Sequence, residues 1–146
     1  MNEKNKYKDF YTVEADAYHR LRYGTKYGRI FKTLHRETLA TLLEPIPRGD
    51  PVLEVACGTG HTTQLLEQLG FQVTATDLTP AMMQEARNRC QSPGTYFVET
   101  NANSLPFADN SFNLVISTRF LHLFSYQTQL DLLKELRRVT KPGGYF

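Results

Sequence analysis

The chain has 146 residues, 40% hydrophobic and 22% charged, the balance of a single soluble globular domain. Its formal net charge of +2 demands no polyanionic partner. No apolar run approaches the roughly 18 residues that span a membrane, and the opening MNEKNKYKDF holds no apolar signal segment, so no membrane association and a cytoplasmic location are expected. Cys57, Cys90 and four scattered histidines lack metal-type spacing, so no metal site is expected, and Cys57 reads as a small loop residue rather than a nucleophile.

Charge is uneven along the chain: residues 1–48 carry ten Lys/Arg against six Asp/Glu, whereas the remainder carries seven against nine. The charges are interspersed rather than blocked, so the basic, tyrosine-rich start reads as a solvated helical face before it reads as a surface for nucleic acid or a phosphorylated substrate. Residues 8–44 read as helical, with apolar positions at Ile30, Leu34, Leu39, Leu42 and Leu43. The run Pro45-Ile-Pro-Arg-Gly-Asp-Pro51 is a rigid, turn-prone hinge. It divides a helical segment, 1–48, from an α/β unit, 49–146. Strands are expected near 52–56, 71–76, 95–99 and 112–117, and helices near 61–69, 80–90 and 126–139, the last with Leu132, Leu133, Leu136 and Val139 on one face. Alternation of this kind builds a parallel sheet, with ligands beyond the carboxyl ends of its strands.

The chemistry concentrates where the first strand ends. In Val52-Leu-Glu-Val-Ala-Cys-Gly-Thr-Gly60 an apolar run breaks into a glycine loop that opens a helix. Gly58 and Gly60 allow a sharp turn and close approach of a ligand, and the helix start offers unpaired N–H groups. Phe71-Gln-Val-Thr-Ala-Thr-Asp77 reads as the second strand, ending in a carboxylate able to accept from both hydroxyls of a ribose. The competing role for Asp77, capping the next helix, falls to Thr79, with Pro80 at the first helical position. A dinucleotide is disfavoured, because Thr63 stands where its fingerprint needs a third glycine, and no Lys-Ser/Thr pair marks a P-loop. Glu54, inside an apolar strand, would repel a pyrophosphate and suit a cationic amine.

VLEVACGTG followed by ATDLTPAMMQEAR resembles the first two motifs of class I S-adenosyl-L-methionine-dependent methyltransferases. NANSLPFADNSFNLVIS resembles their third and fourth strand region, and LLKELRRVTKPGG the helix and turn before the fifth strand, so the likeness covers residues 50–146 closely. Enzymes of quinone and sterol biosynthesis are similar in style, which implies a Rossmann-like fold, S-adenosyl-L-methionine as cofactor and a small-molecule methyl acceptor. The resemblance places Ala56, Gly58, Thr59 and Gly60 along the methionine part of the cofactor, Glu54 at its ammonium, Asp77 at the ribose, and Leu78 and Met82 on the adenine. Met82 reads equally well as a core residue. Asn101-Ala102 stands where the family usually has Asp-Ala at the adenine amino group, and the amide oxygen of Asn101 can still accept there. Asn113 replaces another family Asp and reads as structural. Ser117 and His122 lie in the segment after the fourth strand where acceptor-facing groups sit, His122 as a weak candidate base. Tyr18, Arg22 and Tyr23 resemble an N-terminal lid that closes over the cofactor. The rival functions are an aminopropyl transferase on the same fold and a cofactor-binding scaffold that needs a partner chain.

Lys141-Pro-Gly-Gly144 reads as a stop-and-turn, which leaves Tyr145-Phe146 as the first residues of a fifth strand. The expected sheet is therefore incomplete, with four strands of the family's seven. The 112–117 strand would expose one apolar edge and invite self-association, and the chain reads as part of a longer protein.

Overall fold

The computed structural model describes residues 24–146. Tyr18, Arg22 and Tyr23 lie outside the described residues. The elements, in order, are α1 (Lys26–Leu42), β1 (Pro51–Val55), α2 (His61–Gln68), β2 (Gln72–Asp77), α3 (Pro80–Arg89), β3 (Thr95–Glu99), β4 (Phe112–Ile116), a short 3-10 turn (Leu121–Leu123), α4 (Tyr126–Val139) and β5 (Thr140–Tyr145). All strand pairs are parallel, in the order β3-β2-β1-β4-β5. Among the described residues no helix is long and apolar enough to cross a membrane.

Alternation along the strands sorts the core into two layers. Successive residues of a strand point to opposite faces. Val52 of β1 and Leu114 of β4 pack with Leu39, Leu43, Leu66, Met83 and Ala86, while Leu53, Val55 and Val115 pack with Leu105, Leu136 and Val139. The sheet is thus sandwiched, with α1, α2 and α3 contributing to one layer and α4 to the other. β1 is buried from Val52 to Val55, as a central parallel strand covered on both faces must be. Glu54 shares its parity with Val52 and so points toward the α2 side. At the hinge, Ile46 is buried and the Arg48 guanidinium lies 4.3 Å from the centre of the Phe71 ring, which joins the hinge to the start of β2.

Helix ends follow local chemistry. Thr25 caps α1 by accepting from Gly28 N at 3.0 Å, and Ser125 caps α4. Of the apolar positions on α1, Leu39 and Leu43 enter the core, whereas Ile30, Leu34 and Leu42 stay about half exposed or more. Near the end of α4, Arg138 binds five acceptors. Its Nη1 donates to Phe107 O and Asp109 Oδ1 at 2.8 Å, its Nη2 to Leu105 O and Glu135 Oε1, and its Nε to Glu135 Oε2. Glu135 also accepts from Leu105 N at 2.7 Å, so the loop between β3 and β4 is pinned to α4 at its distal end. These bonds hold the Glu135 carboxyl below the usual range, the Arg138 partner being the main cause.

Two expectations about the chain's end are corrected. Lys141-Pro-Gly-Gly144 is part of a strand, not a turn: β5 begins at Thr140 and pairs with β4 at Phe112↔Thr140 and Leu114↔Tyr145, with an irregularity between them. Proline is tolerated because β5 is an edge strand of the described sheet, where a missing N–H costs little. Lys141 Nζ donates to Asn113 Oδ1 at 2.6 Å and Asn113 Nδ2 to Asp50 Oδ2 at 2.8 Å, so Asn113 is a tie between β5 and the start of β1. The edge of β4 is therefore paired, which removes the physical basis for self-association through it.

Candidate cofactor site

The loops that follow β1, β2, β3 and β4 surround one cavity at the carboxyl end of the sheet. The β1 loop supplies Ala56, Cys57, Gly58 and Thr59; the β2 loop Asp77, Leu78 and Thr79, with Met82 behind; the β3 loop Asn101 and Ala102; and the β4 loop Thr118 to Phe120. Residues separated by up to about half the chain are thus gathered because parallel strands all end on one side.

The β1 loop is held by a strained but fully bonded path. Ala56 adopts φ +61°, Cys57 N donates to Thr76 O at 2.9 Å, and Gly60 N donates to Cys57 O at 3.0 Å. Arg89, the last residue of α3, donates to Thr59 O at 2.7 Å. Burial pushes the Cys57 thiol well above its ordinary pKa, so it is an uncharged lining group and not a nucleophile.

Asp77 anchors the loop. Its Oδ2 accepts from Gly58 N at 2.8 Å and its Oδ1 from Thr79 N at 2.9 Å. Thr79 stands at the helix N-cap but its side chain makes no capping bond; Asp77 takes the Thr79 N–H instead, so the division of labour read from the sequence is reversed. An ionised carboxylate offers about four lone-pair sites. The Gly58 and Thr79 N–H groups engage both oxygens, and the carboxylate also lines the cavity. Burial raises the Asp77 pKa, opposed by the N–H groups of Thr79 and Gly58.

Beyond Asp77 the lining turns apolar. Leu78, Met82 and Ala102 contribute apolar side chains to the lining. Met82 is only 3% exposed, so it serves the core and the cavity at once. Asn101 turns its amide oxygen onto Asn103 N at 3.0 Å, which shapes the β3 loop and leaves one lone pair of that oxygen unused.

Four residues expected at the site do not line it. Glu54 is 1% exposed and accepts from Thr63 Oγ1 beneath the loop, on the α2 side of β1. Desolvation raises its pKa to about 8, with Asp77 nearby adding to the rise and the Thr63 bond opposing it. Gly60 is pressed against α3: at φ +79°, a Cβ there would lie 2.8 Å from Ala86 Cβ. Ser117 donates to Val55 O at 2.9 Å, a tie between β1 and β4. His122 is exposed in the 3-10 turn and is not among the residues lining the cavity. Conversely, His61, Thr62 and Phe124 line the cavity and were not foreseen, while Arg119 lines it from within the segment expected after the fourth strand. Thr62 and Thr118 share a hydroxyl hydrogen bond at 3.1 Å, and Phe120 meets Phe124 edge-on at 4.9 Å. His61 follows Gly60 directly, a position at a helix start that could have drawn attention; nothing in the pattern marks Phe124.

No group of three metal-ligating side chains occurs among the described residues. The site offers hydroxyl recognition at Asp77, an apolar slot beside it and a tight glycine turn. It suits a nucleoside with a short polar extension.

Residues 53–146 match the family model described as a methyltransferase domain. Over 100 residues the chain is 41% identical to a probable phthiotriol/phenolphthiotriol dimycocerosates methyltransferase of Mycobacterium ulcerans, covering 67% of this chain and 38% of that protein. It is 34% identical over 110 residues to the demethylmenaquinone methyltransferase of Tropheryma whipplei, covering 75% and 45% of the two chains. The chain thus spans less than half the length of these curated relatives. The magnesium protoporphyrin IX methyltransferase of Synechocystis, solved with S-adenosylmethionine bound, superposes with a TM-score of 0.79 over 96% of this chain and 73% of that one; at 17% identity this likeness speaks for the fold.

Proposed function

The chain belongs to the class I S-adenosyl-L-methionine-dependent methyltransferases, and on that premise we propose that its cavity binds S-adenosyl-L-methionine and serves methyl transfer to a small-molecule acceptor. The observation that carries this reading is the Asp77 carboxylate, tied to the glycine loop through Gly58 N while it lines the cavity. The residues present fit the group. Asp77 would accept from the ribose hydroxyls, Leu78, Met82 and Ala102 would enclose the adenine, and Ala56, Gly58 and Thr59 would follow the methionine part.

When bound, the cofactor supplies a methyl group already activated on a sulfonium, so the chain's task is alignment and exclusion of water. Thr118, Phe120 and Phe124 after β4 stand on the acceptor side of the cavity and would dry it. Any proton leaving the acceptor would find His61, the one imidazole among the described lining residues. The relatives' names, which speak of methyltransferases of quinone and lipid-type molecules, favour methyl transfer over aminopropyl transfer or a scaffold role.

Calorimetry with S-adenosylhomocysteine and with NAD tests the proposal. Binding of S-adenosylhomocysteine with no response to NAD is expected, since Thr63 stands where the dinucleotide fingerprint needs its third glycine. Tight NAD binding with silence toward S-adenosylhomocysteine would overturn it.

A further inference from the structure

A second cavity of about 150 Å³ opens between α1 and α2. Lys32, His35 and Arg36 line it from α1, and His61, Gln64 and Gln68 from α2. Residues four apart on a helix share a face, so Lys32 and Arg36 project together. His61, Gln64 and Gln68, at spacings of three and four, do the same from the other wall. Every polar group in this lining can donate a hydrogen bond, and no carboxylate lines the cleft among the described residues. Neither Lys32 nor Arg36 forms an ion pair with a described residue; the acidic partners found go to Lys134 and Arg138. The positive field reaches further: burial and the charge of Arg119, on the rim of the first cavity, hold the His35 pKa below its usual value.

His61 lines both cavities. From it, Gln68 lies seven residues along α2, a rise of roughly 10 Å at 1.5 Å per residue. The two cavities are therefore neighbours that share one lining residue.

We propose that the α1–α2 cleft is an anion site, built from Lys32, Arg36, Gln64 and Gln68, that takes the phosphate or carboxylate of the methyl acceptor. The identification of its ligand as the acceptor rests on the methyltransferase reading; the cleft itself does not. Lys32 and Arg36 stand exposed on one face of α1, opposite Gln68 and Gln64, whose Nε2 also donates to Arg89 O at 3.5 Å; charge-assisted bonds from two such cations to one anionic group are the strong ones.

The probes are inorganic phosphate and acetate, titrated into the full chain at constant ionic strength set with sodium chloride. The ring-proton resonances of His35 and His61 report binding by NMR. Saturable shifts with phosphate or acetate are expected in the native protein, phosphate alone or acetate alone identifying which group the cleft takes. In the Lys32→Ala/Arg36→Ala variant affinity should fall by about tenfold or more, the change expected when charge-assisted bonds are removed. Calorimetry with S-adenosylhomocysteine on the same variant should match the native protein, which shows that the fold and the first cavity are intact. Shifts that never saturate, that chloride alone reproduces, or that persist unchanged in the variant overturn the proposal. Failure of S-adenosylhomocysteine to bind the native chain while the phosphate response behaves as expected would remove the cofactor reading and leave the anion site standing.

Discussion

Gly60 offers a sharp test of how the cofactor loop is built. A methyl group placed on it would stand 2.8 Å from Ala86 Cβ, 2.9 Å from Ala86 Cα and 3.2 Å from Cys90 Sγ, at φ +79°. Two penalties then add. The left-handed backbone costs an L-residue about 1–2 kcal/mol, and overpacking a well-filled contact costs about 1–3 kcal/mol. Gly60→Ala should therefore destabilise the chain by about 2–5 kcal/mol, a large part of the 5–15 kcal/mol that a domain commonly has. Gly58→Ala is the control: at φ +55° its added methyl meets nothing within 4 Å, so only the backbone penalty of about 1–2 kcal/mol remains. Gly58 lines the cavity and Gly60 does not, so the two variants should also separate by function. Urea denaturation followed by circular dichroism, with S-adenosylhomocysteine calorimetry on whatever stays folded, measures both. Gly60→Ala costing no more than Gly58→Ala would refute the close packing of the loop on α3.

Asp77→Ala should weaken S-adenosylhomocysteine binding by about 1.5–3 kcal/mol, the worth of hydrogen bonds to a charged group, with native circular dichroism; unchanged affinity would exclude Asp77 as the ribose ligand. Glu54 makes stability depend on pH. Its folded-state pKa of about 8 lies above the ordinary 4.5, so the folded chain holds an extra proton. The associated stability is fully present below the unfolded value and is lost as pH rises through 8, with a ceiling of about 5 kcal/mol at 1.36 kcal/mol per pH unit. Glu54→Gln should flatten that decline in denaturation measured from about pH 5 to about pH 8.5, and parallel slopes would show that Glu54 is not its source. Arg138→Ala should cost about 2 kcal/mol in thermal unfolding and speed amide exchange in the 105–109 loop, because its carbonyl and carboxylate partners lose their donor together.

Legibility in the sequence followed the range of the forces. Periodicity located β3 and α4 to the residue and the other predicted strands within one position, since local pattern and burial agree there. β5 was missed because Lys-Pro-Gly-Gly carries turn chemistry locally, and the open edge of β4 recruits it all the same. Asp77, Leu78, Met82, Asn101 and Ala102 line the cavity, where motif and strand-end position both place them. The burial of Glu54 follows from parity: two residues from Val52, it shares that residue's face, beneath the loop. Phe124, beyond the segment expected to face the acceptor, went unread because the 3-10 turn before it leaves no period to follow.

The order β3-β2-β1-β4-β5 makes the chain leave β1 in one direction across the sheet and return to its other side at β4. On the proposed reading, the two loops that part at this reversal would divide the labour between donor and acceptor. Everything proposed to touch the cofactor's nucleoside belongs to the half that runs β1 to β3, and the aromatic rim belongs to the half that begins at β4. The halves meet at the Thr62–Thr118 hydroxyl pair. Changes distant from that seam add independently. A lineage can therefore rewrite which molecule it methylates by altering one half, while the other preserves the reagent it uses.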